Sequence, residues 1–244
     1  MKKVSLSFRR NLFAGIAIVA AAVLFAACTK NNDNNVDVPA AGLMAVNLAP
    51  DQRSVVVTLS GNLLTRTPLS YTSYTGGYQN IYIGNRPVQS FDYPASKPLA
   101  SVDYEFKDDK YYSVFVVGAN NSYRNVVVQD NIDSLSAASG QAYIRYVNAI
   151  TDSVNTPLVT ISAGGNTVVN ETATYAGVSE FKAVAPGQLT VAAKNGAAID
   201  ASRTIDVAQG RVYTILLSGV PGATDDTKVQ IRFIQNGTLT DDGK

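Results

Sequence analysis

The chain has 244 residues, a formal net charge of +1, 16% charged residues and a single cysteine. Histidine is absent, which removes Ser-His-Asp catalysis and the commonest zinc ligand together. The basic residues are scattered rather than gathered on a face, so no nucleic-acid partner is expected, and one cysteine permits no internal disulfide, leaving the body to its apolar core.

Taken in chain order, Lys2, Lys3, Arg9 and Arg10 give a positive start, Leu12 to Phe25 an apolar run, and Ala26-Ala27-Cys28 a small-residue cleavage site. The run has the length of a signal-peptide core and falls short of the ~20 residues that span a bilayer. Phe25-Ala26-Ala27-Cys28 resembles the lipobox of bacterial lipoproteins, with Leu24 one place early. The reading is a signal peptide over 1–27 and lipidation at Cys28. The membrane is then a partner through the lipid anchor, and the protein is placed in the cell envelope, at the outer membrane, with its periplasmic or surface-exposed face undecided.

Residues 28–40 read as a disordered tether, since Thr29 to Val38 has almost nothing to bury. Asp33, Asn35 and Asp37 have the opening spacing of a calcium loop, but Val38 stands where the turn glycine belongs and Met44 where a bidentate Glu is needed. No metal and no cofactor are therefore expected.

The body repeats itself at an offset of 101 residues: Val46-Asn47 recurs as Val147-Asn148, Asp51 as Asp152, Tyr74-Thr75-Gly76 as Tyr175-Ala176-Gly177, Tyr112 as Tyr213 and Gly118 as Gly219. Val102, Tyr104 and Phe106 alternate with Asp103 and Glu105, as in a half-buried strand. Val55 to Leu59, Tyr111 to Val117, Tyr143 to Val147 and Val212 to Leu217 are β-branched and aromatic runs. Pro186-Gly187, Asn195-Gly196 and Gln209-Gly210 are turns between such runs. The expected fold is all-β, two tandem immunoglobulin-like antiparallel sandwiches over 41–130 and 141–240, joined by a small, polar linker over 131–140. Tyr112 and Tyr213, each three residues after a turn residue, fit the tyrosine corner of such folds.

Tyr143-Ile144-Arg145-Tyr146-Val147-Asn148 with Asp152, then Tyr175-Ala176-Gly177-Val178 and Val184-Ala185-Pro186-Gly187, resembles the domain of unknown function family numbered 4397. The resemblance is fuller over the second copy and partial over the first. It implies an extracytoplasmic β-sandwich of a kind frequent in tandem and often lipid-anchored in Bacteroidetes, and it brings no catalytic residues.

The adjacent carboxylates Asp108-Asp109, Asp225-Asp226 and Asp241-Asp242 sit in turn-like sequence, where neighbours point apart into solvent, so no enzyme is expected. Nine of the thirteen tyrosines fall in the first copy. Tyr71, Tyr78, Tyr82 and Tyr93, among Ser, Thr, Gly and Asn, suggest a binding surface for an unknown protein or glycan ligand. The function read from the sequence is a non-enzymatic binding or adhesion module. Its alternatives are a fimbrial subunit that sheds its first strand, Arg53 being one conceivable cleavage site, and an accessory subunit of a surface hydrolase system. Asp133-Ser134-Leu135 and Asp152-Ser153-Val154 resemble the Bacteroidetes O-glycosylation sequon, making Ser134 and Ser153 candidate modification sites.

Overall fold

The computed structural model describes residues 38–137, 140–152 and 154–240. The signal peptide, Cys28, nearly all of the tether, Ser153 and Asp241-Asp242 lie outside the described residues.

Nine strands precede the expected linker: β1 (Ala40–Asn47), β2 (Ser54–Leu59), β3 (Asn62–Leu63), β4 (Leu69–Ser70), β5 (Gln79–Tyr82), β6 (Gly84–Asp92), β7 (Pro98–Phe106), β8 (Tyr111–Ala119) and β9 (Ser122–Asp130). Eight follow it: β10 (Ala142–Ile150), β11 (Leu158–Ala163), β12 (Asn166–Thr172), β13 (Lys182–Val184), β14 (Gly187–Asn195), β15 (Ile199–Val207), β16 (Arg211–Gly219) and β17 (Gln230–Thr238). A short 3-10 turn, Ile132–Ser134, lies in the expected linker.

In the first half, β5-β1-β8-β9 faces β3-β2-β6-β7, with β4 also on β2; in the second, β13-β10-β16-β17 faces β12-β11-β14-β15. The β-sandwich architecture is as expected, but the immunoglobulin strand order is not found. In that order the first two strands neighbour each other in one sheet. Here β1 lies between β5 and β8, opposite the sheet of β2, and runs parallel to β8. The second half repeats this with β10 and β16, and the register carries the offset of 101: Gly42 faces Tyr111 as Tyr143 faces Val212.

Alternation builds each core. Val55, Val57 and Leu59 turn inward from β2 to meet Leu43, Val114 and Phe106, and Val159, Ile161, Leu189, Val191, Ile215 and Leu217 do the same in the second half. Each fully buried side chain of this kind stabilises by about 1.5–3 kcal/mol.

The β1, β8, β10 and β16 strands are instead buried along almost their whole length. Their second faces meet each other. Met44, Val46, Leu48, Phe115 and Val117 from one inner sheet pack against Val147, Ala149, Leu216 and Ile234 from the other. The body is thus four layers deep, and Pro39–Lys244 forms one compact unit.

The repeated residues hold this frame. Asn47 Oδ1 accepts from Ala49 N–H, and its Nδ2 donates to Leu69 O; Asn148 binds Ile150 N–H and Ala173 O in the same way. Tyr112 Oη accepts from Lys107 N–H at 2.9 Å and Tyr213 Oη from Ala208 N–H at 3.1 Å, where the chain crosses from outer to inner sheet. Gly118 and Gly219 have φ of +118° and +126°, and a Cβ there would lie 2.1 Å from Ser122 O and 2.4 Å from Lys228 O.

The segment 131–137 is fastened at several points. Asp133 pairs with Lys110 Nζ at 2.7 Å, and Tyr143 Oη donates to Ser136 O and accepts from its N–H.

Candidate functional site

The four tyrosines of the expected binding surface separate into two pairs. Tyr71 and Tyr78 are drawn into the seam between the inner sheets, because that is where an apolar ring with a hydroxyl tip can be buried and still find polar partners. Tyr78 Oη donates to Asp130 Oδ2 at 2.6 Å and accepts from Asn236 Nδ2 at 3.2 Å. Burial and the neighbouring Asp130 charge push its phenol well above the ordinary range. Tyr71 Oη turns toward Ser218, Gln230 and Arg232 without closing a hydrogen bond to any of them, and burial raises its phenol as well. Both rings are half-buried, so of the four only Tyr82 and Tyr93 stand as exposed rings.

Around Tyr78 runs a buried polar network. Arg145 Nη1 pairs with Asp130 at 2.6 Å, both side chains at most 3% exposed. Ser113 Oγ also donates to Asp130, while Arg145 Nε and Nη2 donate to Thr214 Oγ1 and Ser113 Oγ. The Arg145 guanidinium lies over Phe181, 4.5 Å from the ring centroid. Every charge here is matched, which is what an interior ion pair requires to persist. It locks one half to the other and offers nothing to solvent.

Tyr82 and Tyr93 remain on the surface, 69% and 54% exposed. They stand on two sides of a local break in the first half. The β2–β3 hairpin turns through Ser60 and Gly61, both at positive φ, and the β11–β12 hairpin turns through Gly164 and Gly165 in the same manner. After the turn β12 stays paired with β11 from Asn166 to Thr172. In the first half the ladder lasts only through Leu63, with Leu64 N–H still reaching Val57 O, and pairing resumes at Leu69 opposite Val55. Thr65, Arg66, Thr67 and Pro68 bulge away between. Proline has no N–H to give a ladder, and Thr65 Oγ1 closes the bulge by donating to Thr67 O at 2.7 Å.

Three clefts open around this bulge, of about 460, 290 and 410 Å³, and Leu63, 64% exposed, borders all of them. The first runs from Thr65 and Arg66 to Tyr74 and Gln79. The second reaches Tyr82 and Arg86, and Arg86 is held by Ser60 Oγ and Tyr82 O. The third lies on the outer sheet between Val56, Phe91, Tyr93 and Arg66. Thr58 Oγ1, bordering that third cleft, is buried without a hydrogen-bond partner. The bulge was missed in the sequence, although Pro68 five residues after an exposed-strand leucine was the signal for it.

Ser134 is exposed at the end of the 3-10 turn and its Oγ donates to Asn131 O at 2.6 Å. The carboxylates of Asp108, Asp109, Asp225 and Asp226 are all exposed, and no group of three metal-ligating side chains occurs among the described residues.

Residues 41–155 match the family described as Domain of unknown function (DUF4397). The match covers the first half and the opening strand of the second, whereas the sequence resemblance was fuller over the second copy. No curated protein matches the chain. Among solved structures it is similar to the Bacillus anthracis TIE protein, at 12% identity and TM-score 0.26 over 82% of this chain and 44% of that one, so that it spans less than half of that relative. It is also similar to the CBM26-family module of Eubacterium rectale Amy13K solved with maltoheptaose, at 10% identity and TM-score 0.28 over 82% of this chain and 98% of that one. A Bacteroides uniformis protein described as a candidate for cell adhesion has 11% identity and TM-score 0.23 over 82% and 98%.

Proposed function

We propose that this chain, a DUF4397 protein through residues 41–155, is a non-enzymatic binding module of the cell envelope whose ligand meets the bulge of the first half. The observation that carries the reading is the meeting of three clefts at Leu63, in the one outer edge where the repeated frame is interrupted. Exposed Leu63, Tyr82 and Tyr93 supply contact area with little side-chain entropy to lose in the two rings. Arg66 makes no ion pair among the described residues and gives the clefts a donor for an acidic or carbonyl group. Both a glycan and a protein surface are served by this mixture.

Attachment through Cys28 goes with this reading, supported by the basic start, apolar run and lipobox-like quartet. Replacing Cys28 by Ser should release the protein from membranes or leave its signal uncut. A processed, mature-sized variant still sedimenting with membrane overturns the anchor. O-glycosylation at Ser134 or Ser153 belongs to the same proposal, and intact-mass comparison with Ser134→Ala and Ser153→Ala protein from the native host decides it.

A fibre subunit that sheds its first strand is disfavoured. Cleavage after Arg53 would remove β1, which is paired on both edges and buried on both faces.

Binding is tested with the chain from Thr29 onward on immobilised glycans and on whole envelopes, beside Leu63→Ser and Tyr93→Ser. Loss of binding by about tenfold or more in both variants, with unchanged melting, is expected. Equal binding by all three proteins removes the bulge as the site.

A further inference from the structure

A second feature sits on the other half, where the two halves adjoin. Thr72, Ser73 and Tyr74, from the stretch between β4 and β5, line a notch of about 390 Å³ with Arg203, Arg232 and Phe233. Neither arginine has a carboxylate partner among the described residues. Both are nonetheless held. Arg203 reaches from β15 across the edge of β17, donates Nη1 to Ile231 O at 2.8 Å and stacks 5.3 Å from the Phe233 centroid. Arg232 donates Nε to Gln230 Oε1 at 2.8 Å. Each guanidinium is thus fixed on one side, and its remaining N–H groups make no hydrogen bond among the described residues.

Two cations gathered in one notch repel each other, and the frame does not need them. By ladder register their counterparts in the first half are Ala100, which faces Ser90 as Arg203 faces Val191, and Val126, which faces Phe115 as Arg232 faces Leu216. The charge of Arg232 also acts on the Tyr71 phenol, which turns toward Ser218 and Gln230 outside the notch lining.

We infer that the notch binds a tetrahedral oxyanion, a sulfate or phosphate group, clamped between the Arg203 and Arg232 guanidiniums with the Thr72 and Ser73 hydroxyls at its rim. Planar forks fixed in advance suit such a group better than flexible ammonium groups do. The group arrives either as a free anion or as an ester on a glycan, and the notch is separate from the bulge, so its occupation is independent of the ligand proposed there.

The test titrates the chain from Thr29 onward with inorganic sulfate, inorganic phosphate and a sulfated disaccharide, following backbone amide and arginine Nε resonances at ionic strength matched with chloride. Saturable shifts of Thr72, Ser73, Arg203 and Arg232 are expected, weakened about tenfold in Arg232→Gln, the loss of one charge-assisted contact. Tighter binding of the disaccharide identifies an ester as the source, and equal binding a free anion. Arg203 also braces Phe233, so Arg232→Gln, on an exposed side chain, decides if Arg203→Gln melts early. Shifts that chloride reproduces, or that Arg232→Gln leaves unchanged, overturn the proposal.

Discussion

The two halves share a topology, a register and a set of buried posts, yet one outer edge leaves its ladder for several residues and the other stays paired through a single bulge. Both hairpins leave their turns alike; then β12 continues to Thr172 while β3 stops at Leu63. The second half in turn bears Arg203 and Arg232 where the first has Ala100 and Val126. Residues that recur between the halves, Asn47 and Asn148, Tyr112 and Tyr213, Gly118 and Gly219, all serve the frame. Candidate chemistry lies only where the copies differ. In a duplicated fold, the departures from the repeat are the place to look for a ligand.

The comparison breaks most severely if the halves are parted. A fragment from Gly140 to Lys244 should keep β-type circular dichroism but lose cover over Val147, Leu216 and Ile234, each worth about 1.5–3 kcal/mol when buried. A fragment melting at the temperature of the whole body would mean that the seam contributes nothing. Within the intact chain, Asp130→Ala strands the buried Arg145 and should cost about 3–5 kcal/mol in urea unfolding. The double change Asp130→Leu with Arg145→Met should cost much less, and costs that simply add would show the pair is uncoupled. Next come Gly118→Ala and Gly219→Ala, expected to destabilise by about 1–3 kcal/mol each, since both halves place backbone oxygen where the methyl must go. A clear inequality between the two would show that one half tolerates the bend better. Tyr112→Phe and Tyr213→Phe should each cost about 1 kcal/mol, one hydrogen bond apiece; a null result in one half alone would mark its corner as ornamental.

The smallest effect under ordinary conditions is a pH dependence. The Tyr78 phenol is raised in the folded protein, so the unfolded chain ionises first, above its usual pKa of about 10. Protons are then bound more tightly by the folded state, and stability falls as pH rises past that point. Tyr78→Phe should flatten the decline between about pH 10 and 11, and a decline of unchanged slope would assign it to other groups.

Much of this was legible in the chain. Alternation in Val102, Tyr104 and Phe106 gave β7, and the repeat offset gave the matched registers of β1 and β10. The continuous apolar runs of Tyr111 to Val117 and Val212 to Leu217 were readable as strands. Their meaning as strands buried on both faces was not, because that depends on a second sheet packing behind the first. The half-burial of Tyr71 and Tyr78 was hidden for the same reason: a tyrosine suits either a wet face or a buried one with a partner, and the partner, Asp130, is 52 residues from Tyr78. Arg145 stood inside the family-like motif, yet nothing local marks an arginine as interior. The immunoglobulin order failed because strand count and corner tyrosines do not fix which sheet receives the first strand.

That placement of the first strand has a temporal consequence. In each half the opening strand is paired with residues 69 positions further along, Gly42 against Tyr111 and Tyr143 against Val212. A ribosome must therefore release nearly a whole half before its earliest strand has a neighbour on that side, and closing so wide a loop is slow. Until then β1 has only β5 to pair with. The architecture postpones its own closure, and whatever handles the nascent chain meets it first in that open condition.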